Sequence, residues 1–447
     1  MAKAPPTDIT PTLAASLPHA PVERLTRPLA RFLEIEAAGG VVLLACAVLA
    51  LVLANSPAAP WYQALWHTHV AFAIGGFHLG GELGHFVVND VLMAVFFFVV
   101  GLEIKRELVA GELRDPRKAA LPVIAALGGM LAPAGLYLAL MSGKPGHEGW
   151  GIPMATDIAF VVGVMALLGP RFPAGLKIML LTLAIADDIG AVVVIAAFYS
   201  GNLAWDVLGL AAAGFVLIHL LNRAGVRAVL VYVLVGIGIW FAFLKSGVHP
   251  TVAGVVLGLM TPSSSWVRKD ALGLALADLQ GQLKSDTGEE PGNHDLQLLA
   301  FAARESVSPL ERLETALHPW VGFVVMPLFA LANAGVPVKL SALTDPVAVA
   351  VALGLLVGKP VGIVSFSWLA VRLGLARLPA GVTWPLMLGA GVLGGIGFTM
   401  SLFVAGLALT EEHLPAGKIG TLTGSVCSAA AGVAILLLVL RKAKPPG

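Results

Sequence analysis

Long apolar segments alternate with short polar ones along almost the whole chain from about residue 38. Each is about as long as a helix that crosses the hydrocarbon core of a bilayer, which takes about 20 residues. The pattern predicts twelve such helices, with approximate bounds 38–56, 89–110, 119–142, 150–170, 175–200, 204–222, 226–244, 248–262, 315–336, 346–370, 383–409 and 418–440. Composition agrees, because 57% of the 447 residues are hydrophobic and only 12% are charged, about half the charged fraction of a soluble protein. We therefore predict an all-α polytopic membrane protein.

The basic residues predict how these helices are oriented. With the N-terminus in the cytoplasm, 23 of the 28 Lys and Arg residues fall in cytoplasmic segments and 4 in external ones, as the positive-inside rule requires. The remaining one, Lys359, lies within a predicted helix. We therefore predict a cytoplasmic tail at 1–35, a single transmembrane domain at 36–442 and a cytoplasmic C-terminus.

Two connecting loops have patterns of their own. The external loop 57–88 contains HVAFAIGGFHL, whose apolar alternation around Gly75 and Gly76 predicts a small extracytoplasmic β-hairpin. Its edge could pair with a second copy of the chain, or the hairpin could be a surface feature without a partner. The cytoplasmic loop 263–312 contains the amphipathic stretch Ala271–Leu283, which predicts a helix on the inner membrane surface. No nucleotide-binding motif occurs, and no nucleic-acid partner is expected.

The run Leu180–Ser200 places two adjacent acids, Asp187 and Asp188, in the middle of an apolar helix. An ionised carboxylate at the centre of a bilayer costs about 3 kcal/mol even on insertion-based scales. Such side chains face a water-filled cavity or a partner and mark a path for ions or protons, although a polar contact between helices is an alternative. Lys359 could neutralise one of the acids or carry protons itself, and a purely structural ion pair is the third possibility.

Two further segments combine helix-breaking and polar residues. GIPMATDIAFVVG includes Pro153, Thr156 and Asp157, and GAGVLGGIGFTMS has five glycines before Thr399. The predicted topology gives the two segments opposite directions. Interrupted helices at matching places in two oppositely oriented halves indicate the binding site of a transporter. Two flexible helices that pack through glycine are the alternative.

Titratable residues also gather at the predicted inner ends of two helices. GLEIKREL places Glu103, Arg106 and Glu107 on one helical face. The segment that enters the ninth helix contains Glu311, Arg312, Glu314 and His318. Such clusters can sense pH, or they can be charged helix ends without further function.

The sequence from about Asp90 to Phe403 resembles the NhaA family of bacterial Na⁺/H⁺ antiporters. The matching strings, in chain order, are VFFFVVGLEIKREL, ATDIAFVVG, LAIADDIGAVVVIAAFY, LKSGVHPTVAGVVLG, LHPWVGFVVMPLFALANAGV, GKPVGI and GGIGFTMSLF. Inverted repeats are an established property of that family, so the repeat predicted above is not independent of the resemblance. The resemblance implies about twelve transmembrane helices with an inverted repeat and two broken helices that cross at mid-membrane.

The resemblance also implies a function. The protein would be a secondary antiporter of the bacterial inner membrane, not an enzyme, that exports Na⁺ or Li⁺ electrogenically for a larger number of protons. It would need no cofactor, would be activated at alkaline pH and would form a homodimer through the hairpin. Asp188 would be the main cation ligand, beside Asp187 paired to Lys359, with Thr156 and Asp157 in the broken helix. The residues expected to respond to pH are Glu103, Arg106, Glu107, Glu314, His318 and His249.

Two other functions fit parts of the pattern. A sodium-coupled symporter of an organic anion could use a similar broken-helix fold, but it needs a cation for its substrate and only Lys359 is available. An intramembrane aspartyl protease needs two separate aspartates that face each other, which Asp187 and Asp188 cannot do on one helix. In the antiporter interpretation, protons and sodium compete for the same carboxylates, and this competition couples their movements.

Overall fold

The computed structural model describes residues 36–75, 77–169, 172–201, 203–226, 228–284, 292–338 and 340–442. The predicted cytoplasmic tail 1–35 and Gly76 of the predicted hairpin turn lie outside these residues. The described chain is almost entirely helical, as expected where backbone polar groups meet hydrocarbon and must bond within their own segment.

Sixteen helices form in the described residues, and most follow the apolar pattern of the sequence. In chain order they are α1 Glu36–Ala54, α2 Ala59–Trp66, α3 Leu83–Val109, α4 Pro116–Leu140, α5 Ile158–Leu168, α6 Ala174–Phe198, α7 Trp205–Arg223, α8 Val229–Ser246, α9 Thr251–Met260, α10 Lys269–Lys284, α11 Asn293–Glu305, α12 Pro309–Asn333, α13 Pro346–Arg372, α14 Trp384–Gly394, α15 Phe398–Ala408 and α16 Leu414–Lys442. A 3₁₀ segment, His147–Met154, leads through extended residues 155–157 into α5.

The prediction of an all-α polytopic membrane protein is confirmed. In the described residues, nine helical spans are long and apolar enough to cross a membrane, or eleven if each of two bent pairs is one span. The pairs are α1 with α2, bent by 118°, and α14 with α15, bent by 46°. Each predicted segment coincides with a helix or an interrupted pair, but α9 has only ten residues, so the number twelve and the inverted repeat stay predictions.

Several boundaries differ from the sequence prediction. Helix α3 begins at Leu83 and α12 at Pro309, each six residues earlier than predicted. Both first turns contain polar residues, which the apolar pattern placed in loops. Helices α2 and α11 were not predicted, because α2 has only 8 residues and α11, with 13 residues and polar ends, is too short to cross a membrane. The predicted amphipathic stretch Ala271–Leu283 lies within α10.

The loop 57–88, which the sequence predicts to be external, contains a two-stranded antiparallel pair. Strand β1, His69–Ile74, pairs with β2, Phe77–Glu82, in a register that sets His69 opposite Glu82 and Ile74 opposite Phe77. Gly75 follows β1 with φ of +60°, a left-handed conformation that glycine adopts without the steric cost of a β-carbon. Within the described part of the chain these two strands form the only sheet.

Glycine allows α4 and α13 to approach each other closely. A β-carbon on Gly128 of α4 would overlap the carbonyl oxygen of Gly362 and the side chain of Phe366, both on α13. Helices in a membrane gain little from the hydrophobic effect when they associate, so such close backbone packing has to hold them together. This pair matters for the site described below, because Lys359 also lies on α13.

We expect Gly128→Ala to destabilise the protein by about 1–3 kcal/mol, because the added methyl group overpacks this contact. Gly135→Ala in the same helix is the matched control, since a β-carbon there meets no atom within 4 Å. The control should be neutral or slightly stabilising, as alanine favours a helix over glycine. Thermal unfolding of the purified variants in one detergent measures the difference. Equal unfolding midpoints for the two variants would contradict the close packing.

Candidate functional site

Asp187 and Asp188 lie in the middle of α6 and are buried in protein instead of facing lipid. Their exposed fractions are 0% and 2%. Lys359 of α13 is likewise fully buried, and its Nζ lies 2.8 Å from Oδ2 of Asp187. The same ammonium group donates a hydrogen bond to the carbonyl oxygen of Met154. The structure therefore brings the two predicted acids and the predicted cation to one place.

Thr156 connects this ion pair to a second helix. Its Oγ1 lies 2.7 Å from Oδ2 of Asp187 and 3.0 Å from the carbonyl oxygen of Gly394, the last residue of α14. A hydroxyl has one proton and can therefore donate to only one of these two acceptors at a time. Thr156 thus lies between the charged pair and the end of an interrupted helix.

The two interrupted segments cross where each is broken. The backbone N–H of Asp157, in the break before α5, donates to the carbonyl oxygen of Ile396, in the break before α15, at 2.7 Å. Ser401 of α15 donates from Oγ to the carbonyl oxygen of Ile152 at 2.7 Å. Backbone that leaves a helix at membrane depth is tolerated only when its polar groups are buried and bonded inside the protein. Each break here supplies partners for the other.

Asp157 lies at the first turns of two helices at once. Its Oδ1 accepts a hydrogen bond from the N–H of Phe160 in α5, at 3.1 Å. Its Oδ2 accepts from the N–H of Thr399 in α15, at 3.1 Å, and from the Thr399 hydroxyl. Helix N-termini carry partial positive charge and favour a carboxylate. Lys359 bonds the carbonyl oxygen of Met154, at the C-terminal end of the 3₁₀ segment, where the partial charge is negative. The carboxylate thus meets positive helix ends, and the ammonium group meets a negative one.

Two carboxylate oxygens of the site are buried without a hydrogen bond. Within the described residues, Oδ1 of Asp187 and Oδ1 of Asp188 have no partner. Leaving such an atom unsatisfied is costly, and most buried polar atoms are bonded. Carboxylate oxygens are ligands that small hard cations prefer, and beside Asp187 the Thr156 hydroxyl and the Gly394 carbonyl group supply further oxygens of this kind. Among the described residues, no group of three or more His, Cys, Asp or Glu is placed to hold a metal ion.

Four of the predicted pH-sensing residues meet at one end of the bundle. Arg106 of α3 forms an ion pair with Glu314 of α12, with Nη1 and Oε1 2.5 Å apart. His318 lies next along α12, with its Nδ1 3.6 Å from Oε1 of Glu103. Glu107 is not part of this cluster. Its Oε2 accepts a hydrogen bond from the N–H of Glu112 at 3.0 Å. This bond forms because α3 ends at Val109 and the next turn of the chain folds back towards the Glu107 side chain.

His249 lies near the other end of α3. Its Nε2 is 3.8 Å from Oδ1 of Asp90, and its Nδ1 lies 2.8 Å from Oγ1 of Thr251. The Nδ1 of His85 is 3.4 Å from the other oxygen of Asp90. Asp90 is only 4% exposed and was missed in the sequence. It is the second residue of the helix predicted over 89–110 and was therefore expected near the helix end, whereas α3 begins seven residues earlier, at Leu83.

Thr399 lies in the glycine-rich segment that the sequence predicts to be interrupted, but its partner was not predicted. A threonine at the start of a helix commonly bonds within its own first turn. Here its hydroxyl and N–H both bond the carboxylate of Asp157, 242 residues away. The sequence shows that a polar residue follows the break, but it does not show which chain segment faces it.

Interrupted helices that bury carboxylates where they cross belong to membrane transporters of ions. The profile of the family described as Na⁺/H⁺ antiporter 1 matches residues 30–436, and the chain belongs to this family.

Relatives support the same assignment across almost the full length. The chain is 49% identical over 432 residues to a protein of Acidiphilium cryptum named Na⁺/H⁺ antiporter NhaA 3, covering 96% of this chain and 94% of that protein. It is 50% identical over 428 residues to the Na⁺/H⁺ antiporter NhaA of Rhodopirellula baltica, covering 95% and 97%. The NhaA of Rhizobium meliloti is 48% identical over 425 residues, covering 95% and 97%. With its apolar helices, the chain is therefore a multi-pass protein of the bacterial inner membrane.

Replacing Thr399 tests its bond to Asp157. We expect Thr399→Val to destabilise the protein by about 1.5–3 kcal/mol, because it removes one of the carboxylate's three hydrogen bonds. Thr421→Val is the matched control, since the Thr421 hydroxyl is buried without a partner among the described residues. The control should be neutral or stabilising. Thermal unfolding of both variants in detergent checks this, and a control as unstable as Thr399→Val would argue against the bond.

Proposed function

We propose that the protein is an electrogenic antiporter that exports Na⁺ or Li⁺ for a larger number of protons and is regulated by pH. Sodium–proton exchange follows from membership of the Na⁺/H⁺ antiporter 1 family. The observation that carries the proposal is the contrast within one pair of acids. Asp187 is held by Lys359 and Thr156, whereas the carboxylate of Asp188 is buried beside it and has no ion pair or hydrogen bond with any described residue.

The contrast assigns different roles to the two acids. A buried carboxylate without a fixed cation must take up a proton or a metal ion to offset the cost of burial. Asp188 is in this position, so Na⁺ and H⁺ would compete for it, and that competition couples their movements. Asp187 would join the site when its ion pair with Lys359 opens. Lys359 would then release a proton, which accounts for more than one proton leaving as one Na⁺ binds.

The crossing of the broken helices supports alternating access. Bonds between the breaks before α5 and α15 hold the site at the junction of two segments. In transporters of this architecture, one bundle tilts against the rest around a site that stays at mid-membrane. The carboxylates would then face the cytoplasm and the outside in turn without leaving their helices.

The cluster of Glu103, Arg106, Glu314 and His318 is proposed to regulate the rate. It joins α3 to α12, and it reaches solvent, since the Arg106 and His318 side chains are 50% and 63% exposed. A change in its protonation would alter how the two helices are held together. His249 and Asp90 lie roughly 20 Å away along α3, at 1.5 Å per residue, and would respond to pH on the external side. Glu107 is left out of this proposal because it bonds locally.

A homodimer through the hairpin is part of the proposal. An isolated two-stranded hairpin is marginally stable in water. Strands β1 and β2 pair only with each other in the described chain, so a second copy of the hairpin could extend the sheet at an edge. Both termini are proposed to be cytoplasmic, on the strength of the distribution of basic residues.

The organic-anion symporter is the less favoured function. Such a transporter needs a cation that is free to bind its substrate. Lys359 is fully buried and engaged by Asp187 and the Met154 carbonyl group. Family membership also favours the antiporter.

Sodium should dissipate a pH gradient in everted vesicles that contain the protein and have an acid interior, above neutral pH. Asp188→Asn should abolish this response, because the neutral amide cannot exchange a proton for a cation. Asp206→Asn is the control, since Asp206 is an exposed acid in the first turn of α7. The assay is the recovery of a fluorescent ΔpH probe after NaCl or LiCl is added. Exchange that survives in folded Asp188→Asn would remove this residue from the site.

Glu314→Gln tests the proposed pH regulation. The variant removes a negative charge that helps to hold protons on its neighbours, so the cluster should lose its protons at lower pH. The midpoint of the activity profile should therefore move to lower pH by about half a unit, as expected for a partly exposed ion pair. Glu412→Gln, at an exposed acid before α16, is the matched control. Sodium-dependent ΔpH dissipation measured from pH 6 to pH 9 gives both midpoints, and coincident profiles would exclude Glu314 from regulation.

A further inference from the structure

A cavity of about 650 Å³ lies at the end of the bundle where α4 and α6 begin and α13 has ended. Residues from three separate parts of the chain line it, around 112–122, 175–182 and 374–379. The topology proposed above places all three at the cytoplasmic surface. The cavity is distinct from the carboxylate site, because none of Thr156, Asp157, Asp187, Asp188 and Lys359 lines it.

The rim of this cavity is basic. Arg117 and Lys118 come from the first turn of α4, and Arg377 comes from the segment after α13. Lys118 lies 3.6 Å from the one acid of the lining, Glu112. Within the described chain, the guanidinium groups of Arg117 and Arg377 have no ion pair or hydrogen bond. Two arginines that line one cavity and have no ion pair of their own are suited to an anion, above all to phosphate oxygens.

The rest of the lining is apolar and partly open. Leu121 and Met179 form a buried floor, with exposed fractions of 2% and 3%. Ile178 and Leu375 are 48% and 60% exposed, although they are large aliphatic side chains at the mouth of a cavity. A soluble anion would leave these surfaces in contact with water. A ligand with a hydrocarbon chain would cover them.

We propose that this cavity binds one anionic phospholipid, with its phosphate between Arg117 and Arg377 and an acyl chain along Ile178 and Leu375. Basic pockets between helices at the cytoplasmic membrane surface are known to accommodate such headgroups. The lipid would connect the beginnings of α4 and α6 to the segment after α13.

The lipid would not contact the carboxylate site, but two of the chain segments that it would connect belong to, or follow, helices that carry residues of that site. Thr182 lines the cavity and precedes Asp187 on the same helix by five residues, or about 7.5 Å of helix rise. Lys359 lies on α13, whose far end leads into the cavity rim. A lipid in the cavity would therefore hold together the helices that position the acid and its ammonium partner.

Native mass spectrometry of the full-length protein in detergent tests the proposal by titration with phosphatidylglycerol. The double variant Arg117→Gln, Arg377→Gln should bind the first phosphatidylglycerol about 25-fold more weakly than the unmodified protein, since each basic group near a membrane surface contributes about fivefold. Arg268→Gln, Arg304→Gln is the matched control, as both arginines are exposed in the loop 263–312. It should retain the original affinity.

Two further sets of measurements test whether the anion is a lipid or a soluble phosphate, and whether positive charge alone is sufficient for binding. Phosphatidylcholine should bind all three proteins equally weakly, and glycerol phosphate should not displace bound phosphatidylglycerol at equal concentration. Arg117→Lys, Arg377→Lys keeps the charge and should restore most of the affinity. An equal loss in both double Gln variants would show general charge attraction and overturn the proposed site. Displacement by glycerol phosphate at equal concentration would show a soluble-anion site and overturn the lipid.

Discussion

A peptide group that leaves a helix in the middle of a membrane has no water to bond, and the rest of this site follows from that constraint. Two segments of the chain break beside each other, and each supplies carbonyl, amide or hydroxyl partners to the other. The residual helix-end charges are matched by Asp157 on the amide side and Lys359 on the carbonyl side. Without these bonds, the polar groups of each break would be buried without partners, which a membrane-spanning protein does not tolerate.

The same constraint explains why the core of the site could be predicted. Charges inside hydrocarbon are so costly that Asp157, Asp187, Asp188 and Lys359 stand out in an apolar sequence. Their pairing could not be predicted from spacing alone, because Asp187 and Lys359 meet only through the packing of α6, α4 and α13. The resemblance to a known family suggested that pair, and the geometry shows its atoms 2.8 Å apart.

The omissions have physical reasons as well. Asp90 is the second residue of the helix predicted over 89–110, a position expected at the membrane surface, but π-helical turns extend α3 back to Leu83 and bury this acid. Glu107 lies on the predicted face of its helix, but the helix ends at Val109 and the N–H of Glu112, in the following turn, bonds the Glu107 carboxylate. Helix periodicity shows which side chains share a face. It does not show which of them the next segment of the chain will bond.

The single proton of the Thr156 hydroxyl has a consequence for how loading is signalled. While Asp187 is ionised and paired with Lys359, it competes with the Gly394 carbonyl group for that proton. If the ion pair opens and Asp187 binds a cation, as proposed above, the cation offsets the charge of the carboxylate and the threonine proton is left to Gly394 at the end of α14. The choice of one hydroxyl between two acceptors would then link the state of the carboxylate to the position of the interrupted helix.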